Sequence, residues 1–150
     1  MSDLLHYEDF HEGQVIDLGQ YHVSADEIID YAREFDPQDF HLNEEAGKSS
    51  VLGGLAASGW QVCAILVRML TDAYVGKSAA MGSKGMDEVK WLKPVYAGET
   101  LTGHMTLLKK RVSSKRPEMG ILSCRWELFN TQGEKKADMV GVSFMRVRQP

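Results

Sequence analysis

The sequence predicts an α+β domain in which an antiparallel β-sheet wraps around one long central α-helix. Nearly every residue from 60 to 70 is apolar, and a helix that is apolar almost all round is buried on most sides. Residues 101–107 and 122–128 alternate apolar and polar side chains, which is the period of a strand with one buried face. Strands that follow a buried helix in this way are typical of the α+β class.

The remaining elements are predicted from caps, breakers and turns. Ser24 and Glu27 form a capping box at the start of the first helix, and Pro37 ends that helix, so residues 36–41 are predicted to be an ordered loop. Residues 130–133 are predicted to be a hairpin turn. The predicted strands are 14–21, 86–92, 100–107, 122–128 and 137–148. The predicted helices are 24–34, 43–47 and 60–70.

Length and composition indicate one ordinary globular domain. The 150 residues are predicted to form a single domain, 1–150, in which residues 1–13 are a loosely structured polar arm. The 43% apolar and 25% charged residues are typical of globular proteins. A net charge of −4 argues against nucleic acid as a partner, because nothing neutralises phosphates over a large surface.

The chain shows no export or membrane signal, so we expect a cytoplasmic protein. Its first ten residues are acidic and polar, unlike a secretory signal. The apolar stretch 55–70 falls short of the ~20 residues that span a bilayer. Cys63 and Cys124 lie in apolar runs, which favours buried small side chains over a disulfide or a metal site.

Two short segments carry candidate chemistry. Asp36 and His41 lie in the predicted loop, where a carboxylate and an imidazole can hold one water molecule. Ser58 and Gly59 open the apolar helix, whose first N–H groups can bind a developing oxyanion. Gly59 has no Cβ to block the approach of a carbonyl group.

Simpler structural roles are available to the same residues. Asp36 before Pro37 is a common Asx-turn arrangement, His41 can be satisfied by backbone groups, and Ser58 can be a plain N-cap. The acidic residues near His41 match no standard zinc or calcium spacing, so no metal is expected. A basic patch is either a solvated hairpin end or a contact for the phosphates of coenzyme A. It consists of Lys109, Lys110, Arg111, Lys115 and Arg116.

Residues 31–70 resemble the MaoC-like hydratase family of (R)-specific enoyl-CoA hydratases. The motif of that family places Asp and His five residues apart, with an acidic or amide residue two further on, as in Asp36, His41 and Asn43. A small-residue step follows at the start of the long helix, here Ser58–Gly59. Residues 91–101 also resemble the strand and turn of the family, and the likeness extends from about residue 14 to 148.

The resemblance implies a hot-dog fold and a hydro-lyase that adds water across the double bond of a 2-enoyl-CoA thioester. It implies that Asp36 and His41 activate the water and that the backbone N–H of Gly59 binds the thioester oxygen. It also implies a homodimer or larger homo-oligomer, since one curled sheet leaves an open flank, and no cofactor besides the coenzyme A of the substrate. The predicted substrate contacts are Gln38, Phe40, Gly54, Ser58 and Trp60.

The chain departs from the family pattern at two places, and other functions stay open. Gln38 and Asp39 replace the usual Asn-Pro, and Ser58 stands where many members have His. A hot-dog thioesterase is the first alternative, although such enzymes often carry an acidic residue on or near the long helix and only Asp72, at its end, is available here. A non-catalytic acyl-thioester-binding or assembly subunit is the second alternative.

Overall fold

The structure is a computed structural model that describes residues 3–149; Met1, Ser2 and Pro150, at the ends of the predicted domain, lie outside the described residues. Its strands are β1 Val15–His22, β2 Ala80–Gly82, β3 Met86–Trp91, β4 Thr100–Val112, β5 Met119–Asn130 and β6 Lys135–Arg146. Its helices are α1 Ala25–Phe35, α2 Asp39–Leu42, α3 Glu44–Ser49 and α4 Gly59–Ala73. All strand pairs are antiparallel, in the order β1-β4-β5-β6-β2, and β3 also pairs with β6.

The sheet packs around α4, which confirms the predicted α+β architecture. Alternate residues of β4 and β5 are buried, and they share one core with the inner face of α4. That face carries Val62, Ile65, Leu66 and Met69. Its burial is driven by the removal of apolar surface from water, which stabilises most such helices.

One side of α4 is open, as expected for a single curled sheet. Trp60 is 60% exposed, and Val67, two turns further on, is also exposed. Three exposed apolar residues at or just after the neighbouring edge strand β3 continue this surface: Met86, Trp91 and Leu92. We call these five residues the open flank. No helix within residues 3–149 is long and apolar enough to cross a membrane, and the cytoplasmic location stays a prediction.

Two short elements differ from the sequence prediction. The predicted loop 36–41 contains the start of a one-turn helix, α2, which begins after the extended residue Gln38. The backbone N–H of His41 donates to the Gln38 carbonyl at 2.9 Å, so the chain turns immediately after the proline. Strand β2 was not predicted, because three residues are too few to show an alternation.

The N-terminal arm is ordered from Leu5 onward, so the prediction of a loosely structured arm was wrong. Leu5 exchanges backbone hydrogen bonds with Lys77 and Ala79, and a 3₁₀ turn follows at Tyr7–Asp9. Phe10 is 1% exposed and packs edge-to-face on Tyr74, with 6.1 Å between ring centroids. A few buried side chains anchor the arm. They follow no repeating pattern, so the mostly polar sequence of this segment does not reveal them.

Phe10→Ala is expected to lower the free energy of unfolding by about 3 kcal/mol, because it leaves a cavity beside the Tyr74 ring. Leu4→Ala, on an exposed side chain of the same arm, is the matched control and should change stability by less than about 0.5 kcal/mol. Urea unfolding of both variants measures the difference. Equal, small effects would show that the arm does not contribute to the core.

Charged and polar side chains on the outer face of the sheet, and at its hairpin end, pair with neighbouring side chains of the same domain. His104 lies on the polar face of β4, and its Nε2 lies 3.2 Å from Glu127 Oε1 on β5. In the basic patch, Lys110 lies over the Tyr7 ring and Arg116 pairs with Glu118 at 2.9 Å. This patch adjoins the N-terminal arm through Tyr7, and the arm packs through Phe10 on Tyr74, just after the end of α4 that is remote from Gly59.

Candidate active site

The ends of three helices bring the candidate residues together. Asp36 follows α1, whose helical pattern stops before Pro37, and His41 lies on α2 and is only 6% exposed. Asp36 Oδ2 lies 3.5 Å from His41 Nε2 and accepts a hydrogen bond of 2.7 Å from the hydroxyl of Ser58, which immediately precedes α4. The structure therefore places Asp36, His41, Ser58 and Gly59 in one site.

The hydrogen bonds of His41 fix the direction of its ring. Its Nδ1 lies 2.7 Å from the carbonyl oxygen of Ala56, which can only accept, so Nδ1 carries a hydrogen. In the neutral imidazole, Nε2 is then an acceptor that faces a second acceptor, Asp36 Oδ2. One molecule that donates two hydrogens, such as water, would satisfy both acceptors. A water molecule in that position keeps its oxygen lone pairs free for attack.

Asp36 is held in its ionised form. The hydrogen bond from the Ser58 hydroxyl is the main cause that lowers the pKa of Asp36. The amide of Gln38, which donates to Oδ1 at 2.6 Å, lowers the pKa further, as does the nearby His41. Burial acts in the opposite direction and is outweighed. Each donor stabilises the carboxylate rather than the carboxylic acid. The site therefore presents a negative charge beside His41 at neutral pH.

The start of α4 offers free backbone donors. Ser58 is the N-cap residue, but its hydroxyl bonds to Asp36 and makes no capping bond within α4. The first N–H groups of any α-helix lack partners within the helix and lie at its positive end. The backbone N–H of Gly59 is consequently available to a carbonyl oxygen that gains negative charge.

Trp91, which the sequence did not single out, lies directly against Gly59. A Cβ built on Gly59 would stand 2.5 Å from indole carbons of Trp91, so only glycine fits beneath this ring. Trp91 comes from β3, far along the chain, and only the sheet register brings it to α4. The one signal in the sequence is its place in the segment 91–101 that resembles the family.

A cavity of about 340 Å³ adjoins the site. Its walls are mostly apolar, which suits a binding site for the acyl part of a small molecule. The residues that define it for our argument are Phe40, His41, Gly59, Trp91, Val95 and Lys136.

A buried ion pair forms part of the cavity wall. Lys136 is 3% exposed, and its Nζ donates to the Pro94 carbonyl at 2.9 Å and lies 3.1 Å from Glu99 Oε1. Burial raises the pKa of Glu99, but hydrogen bonds from the Tyr96 backbone and other donors, Lys136 among them, outweigh it and lower the pKa. Removal of one partner of such a pair would leave an unpaired buried charge. The pair therefore holds the wall segment that contains Pro94.

The sequence model of the MaoC like domain matches residues 9–122 of this chain. The protein belongs to the MaoC-like domain family. The uncharacterised protein YdeM of Bacillus subtilis is 33% identical over 129 residues, which are 85% of this chain and 89% of that protein. Membership places this MaoC-like protein among enzymes of the hydratase and dehydratase type.

Solved structures confirm the hot-dog fold of the MaoC-like chain. The MaoC-like dehydratase from Rhodospirillum rubrum has a TM-score of 0.90 and 35% identity, over 97% of this chain and 99% of that chain. R-hydratase PhaJ1 from Pseudomonas aeruginosa has a TM-score of 0.74 and 16% identity, over 97% of this chain and 88% of that chain. The second likeness concerns the fold alone.

The predicted substrate contacts of the MaoC-like chain divide into two groups. Phe40 lines the cavity, and Gln38 and Ser58 bond to Asp36. Gly54 and Trp60 do not line this cavity, and their role as substrate contacts stays a prediction. The Tyr96 ring packs 3.0 Å from a Cβ position on Gly54, and Trp60, about 100° around the helix from Gly59, lies on the open flank.

Ser58→Ala is expected to move the acidic limb of the pH profile of kcat/KM to higher pH. Loss of the hydroxyl removes the main cause of the lowered Asp36 pKa while burial continues to raise it, so the carboxylate protonates at higher pH. Gln38→Ala should move the limb in the same direction by less. Hydration rates measured from acidic to neutral pH report the shift, and an unmoved limb in Ser58→Ala would separate Ser58 from the titrating group.

Proposed function

We propose that this MaoC-like protein adds water to, or removes it from, the double bond of a 2-enoyl-CoA thioester. The observation that carries the proposal is the pair of acceptors, His41 Nε2 and Asp36 Oδ2, placed 3.5 Å apart beside the start of α4. A water molecule bound to both would lie near the start of α4, because Asp36 Oδ2 also accepts from the hydroxyl of Ser58, the residue before Gly59. Hydration of an enoyl thioester needs these two functions together.

The reaction can be written with these groups alone. The thioester carbonyl accepts a hydrogen bond from the Gly59 N–H, and the water oxygen bonds to C3 of the enoyl group. The electron pair of the double bond moves toward the thioester oxygen, where the positive end of α4 stabilises the enolate. The Asp36–His41 pair takes the proton of the water and returns a proton to C2. Dehydration follows the same steps in reverse and needs no further cofactor.

A homodimer completes the proposal. The open flank exposes large apolar side chains next to the edge strand β3, and contiguous exposed apolar surface marks interaction sites. A second copy would cover this flank and extend the sheet at its edge. Larger homo-oligomers would be built from such dimers.

Thioester hydrolysis receives less support from the structure. Gly59 to Leu70 contains no acidic residue, and the nearest carboxylate on α4, Asp72, is exposed and bonds to Arg68 at 2.8 Å. A non-catalytic acyl-thioester-binding subunit would use the same cavity without turnover. The three functions differ in the products they form from one substrate.

A hydration assay on crotonyl-CoA with the purified protein tests the proposal. We expect the absorbance of the conjugated enoyl thioester to fall while no free thiol appears. Release of free coenzyme A would indicate a thioesterase instead. Binding of crotonyl-CoA and longer enoyl-CoA thioesters without any turnover would indicate the non-catalytic function and overturn the proposal.

A further inference from the structure

The ring of His41 lies between two acceptors that compete for its hydrogen. Its Nδ1 lies 2.7 Å from the Ala56 carbonyl oxygen, and its Nε2 lies 3.5 Å from Asp36 Oδ2. A neutral imidazole carries one hydrogen, so it can donate to only one of the two. If Nε2 carried the hydrogen, it would donate to Asp36 directly, and the pair would no longer offer two acceptors to a water molecule. The tautomer of His41 therefore decides whether the proposed water site exists.

The two acceptors differ in strength. A hydrogen bond to a carboxylate is stronger than one to a neutral carbonyl group, so Asp36 favours the tautomer that abolishes the water site. The Ala56 carbonyl outweighs it by distance, because 2.7 Å is a short N–H···O bond and 3.5 Å is beyond the usual range. The position of the Ala56 backbone is therefore part of the geometry of the site, although its side chain takes no part.

The Ala56 carbonyl is held in place by a backbone bridge. Two backbone hydrogen bonds of 2.8 and 3.0 Å join segment 55–57 to segment 95–97, one on each side of Ala56. Ala56 itself pairs with Tyr96 in an isolated antiparallel bridge. In a pair flanked by hydrogen bonds in this way, the C=O of the middle residue points away from the partner segment, here toward His41. The location of that carbonyl thus follows the location of segment 95–97.

The buried ion pair of Lys136 and Glu99 holds this second segment at two points. The Lys136 ammonium group donates to the Pro94 carbonyl at 2.9 Å, and Glu99 Oε1 accepts from the Tyr96 N–H at 2.8 Å. Lys136 Nζ and Glu99 Oε1 lie 3.1 Å apart, and Glu99 Oε2 also accepts from the Asn130 amide at 2.9 Å. Lys136 lies on β6 and Asn130 ends β5, so the pair attaches the segment to two strands of the sheet.

We propose that the Lys136–Glu99 pair positions His41: by fixing segment 94–99 it holds the Ala56 carbonyl against Nδ1, and so keeps the ring in the tautomer whose Nε2 accepts a hydrogen from water. Both are positioning residues, because they act on His41 through the backbone. Apolar side chains of similar volume often stabilise a protein as well as a buried ion pair does. What the pair adds here is a fixed direction for each of its hydrogen bonds. The inference rests on the proposed function for its effect on rate.

Nitrogen NMR of the histidine rings tests the inference on the free protein. With ¹⁵N-labelled histidine, two-bond proton–nitrogen spectra at a pH where the ring is neutral show which nitrogen carries the hydrogen, and the signals missing from His41→Ala identify the ring. In the wild type we expect the hydrogen on Nδ1. In Lys136→Met/Glu99→Gln, which removes both charges together, we expect the Nδ1–H form to become the minority and kcat for crotonyl-CoA hydration to fall at least in proportion, by about fivefold or more.

Lys135→Met/Glu127→Gln is the matched control. Lys135 is the neighbour of Lys136 in the chain, and its Nζ lies 2.6 Å from Glu127 Oε2 on the outer face of the sheet. The same two substitutions there remove an ion pair of the same kind and leave segment 94–99 untouched. The His41 tautomer and kcat should then match those of the wild type. Equal changes in both double variants would show a general loosening of the domain and overturn the inference.

Glu99→Gln alone is the milder test, and it decides the outcome if the double variant does not fold. The amide oxygen can still accept from the Tyr96 N–H and from Lys136, so only the charge is lost, and we expect a smaller shift of the hydrogen toward Nε2. An unchanged tautomer in the folded variants would overturn the inference and leave the proposed function intact. Absence of hydration by the wild type would instead overturn the proposed function, and the tautomer ratios would still decide the role of the pair.

Discussion

Asp36→Asn is expected to lower kcat/KM for enoyl-CoA hydration by about 10²–10⁴-fold while the protein stays folded. The amide has the shape of the carboxylate, but it removes the negative charge beside His41 and cannot take a proton from water. Steady-state hydration of crotonyl-CoA measures the loss, and a urea unfolding curve shows whether the fold is intact.

Asp39→Asn is the matched control for this variant. Asp39 lies three residues further on, is exposed and belongs to the first turn of α2. The substitution therefore makes the same chemical change outside the site. We expect its activity to stay within about twofold of wild type, as for a surface substitution. Full activity in Asp36→Asn would remove Asp36 from the mechanism, and equal losses in both variants would point to the charge of the segment rather than to one carboxylate.

The sequence predicts the candidate site where the signals are local. Pro37 ends α1 beside Asp36, and Ser58 and Gly59 mark the start of the apolar helix, so each candidate can be placed at the end of an element. That these ends meet in space followed from the family resemblance and not from periodicity. The partner of His41 Nδ1, the Ala56 carbonyl, lies fifteen residues away and has no sequence signal, since any residue carries such a group.

Residues that reach the site from the sheet escaped prediction. Trp91 and Lys136 come from β3 and β6, and the register of those strands, which pairs Trp91 with Ala137, decides where both side chains point. A lysine at the start of a strand is normally exposed, and here Glu99, the Pro94 carbonyl and the Tyr96 ring offset the cost of its burial. Such pairings are non-local, and no pattern within one segment contains them.

His41→Ala is expected to lower kcat/KM by about 10²–10⁴-fold as well, for a different reason. It removes the Nε2 acceptor that orients the water, and it leaves the Ala56 carbonyl without its donor. His104→Ala is the matched control, because that imidazole lies on the outer face of the sheet beside Glu127 and Phe129. The hydration assay and unfolding curves are those used for Asp36→Asn, and normal activity in His41→Ala would contradict its role.

The double variant Asp36→Asn/His41→Ala separates a shared water from two independent functions. If both side chains act by holding one water molecule, the first substitution already releases it, so the second has little left to remove. We therefore expect the double variant to lose about as much activity as the more impaired single variant. If the two losses multiply instead, each residue stabilises the transition state separately, and the 3.5 Å arrangement of Asp36 and His41 is not the water site on which the proposed function depends.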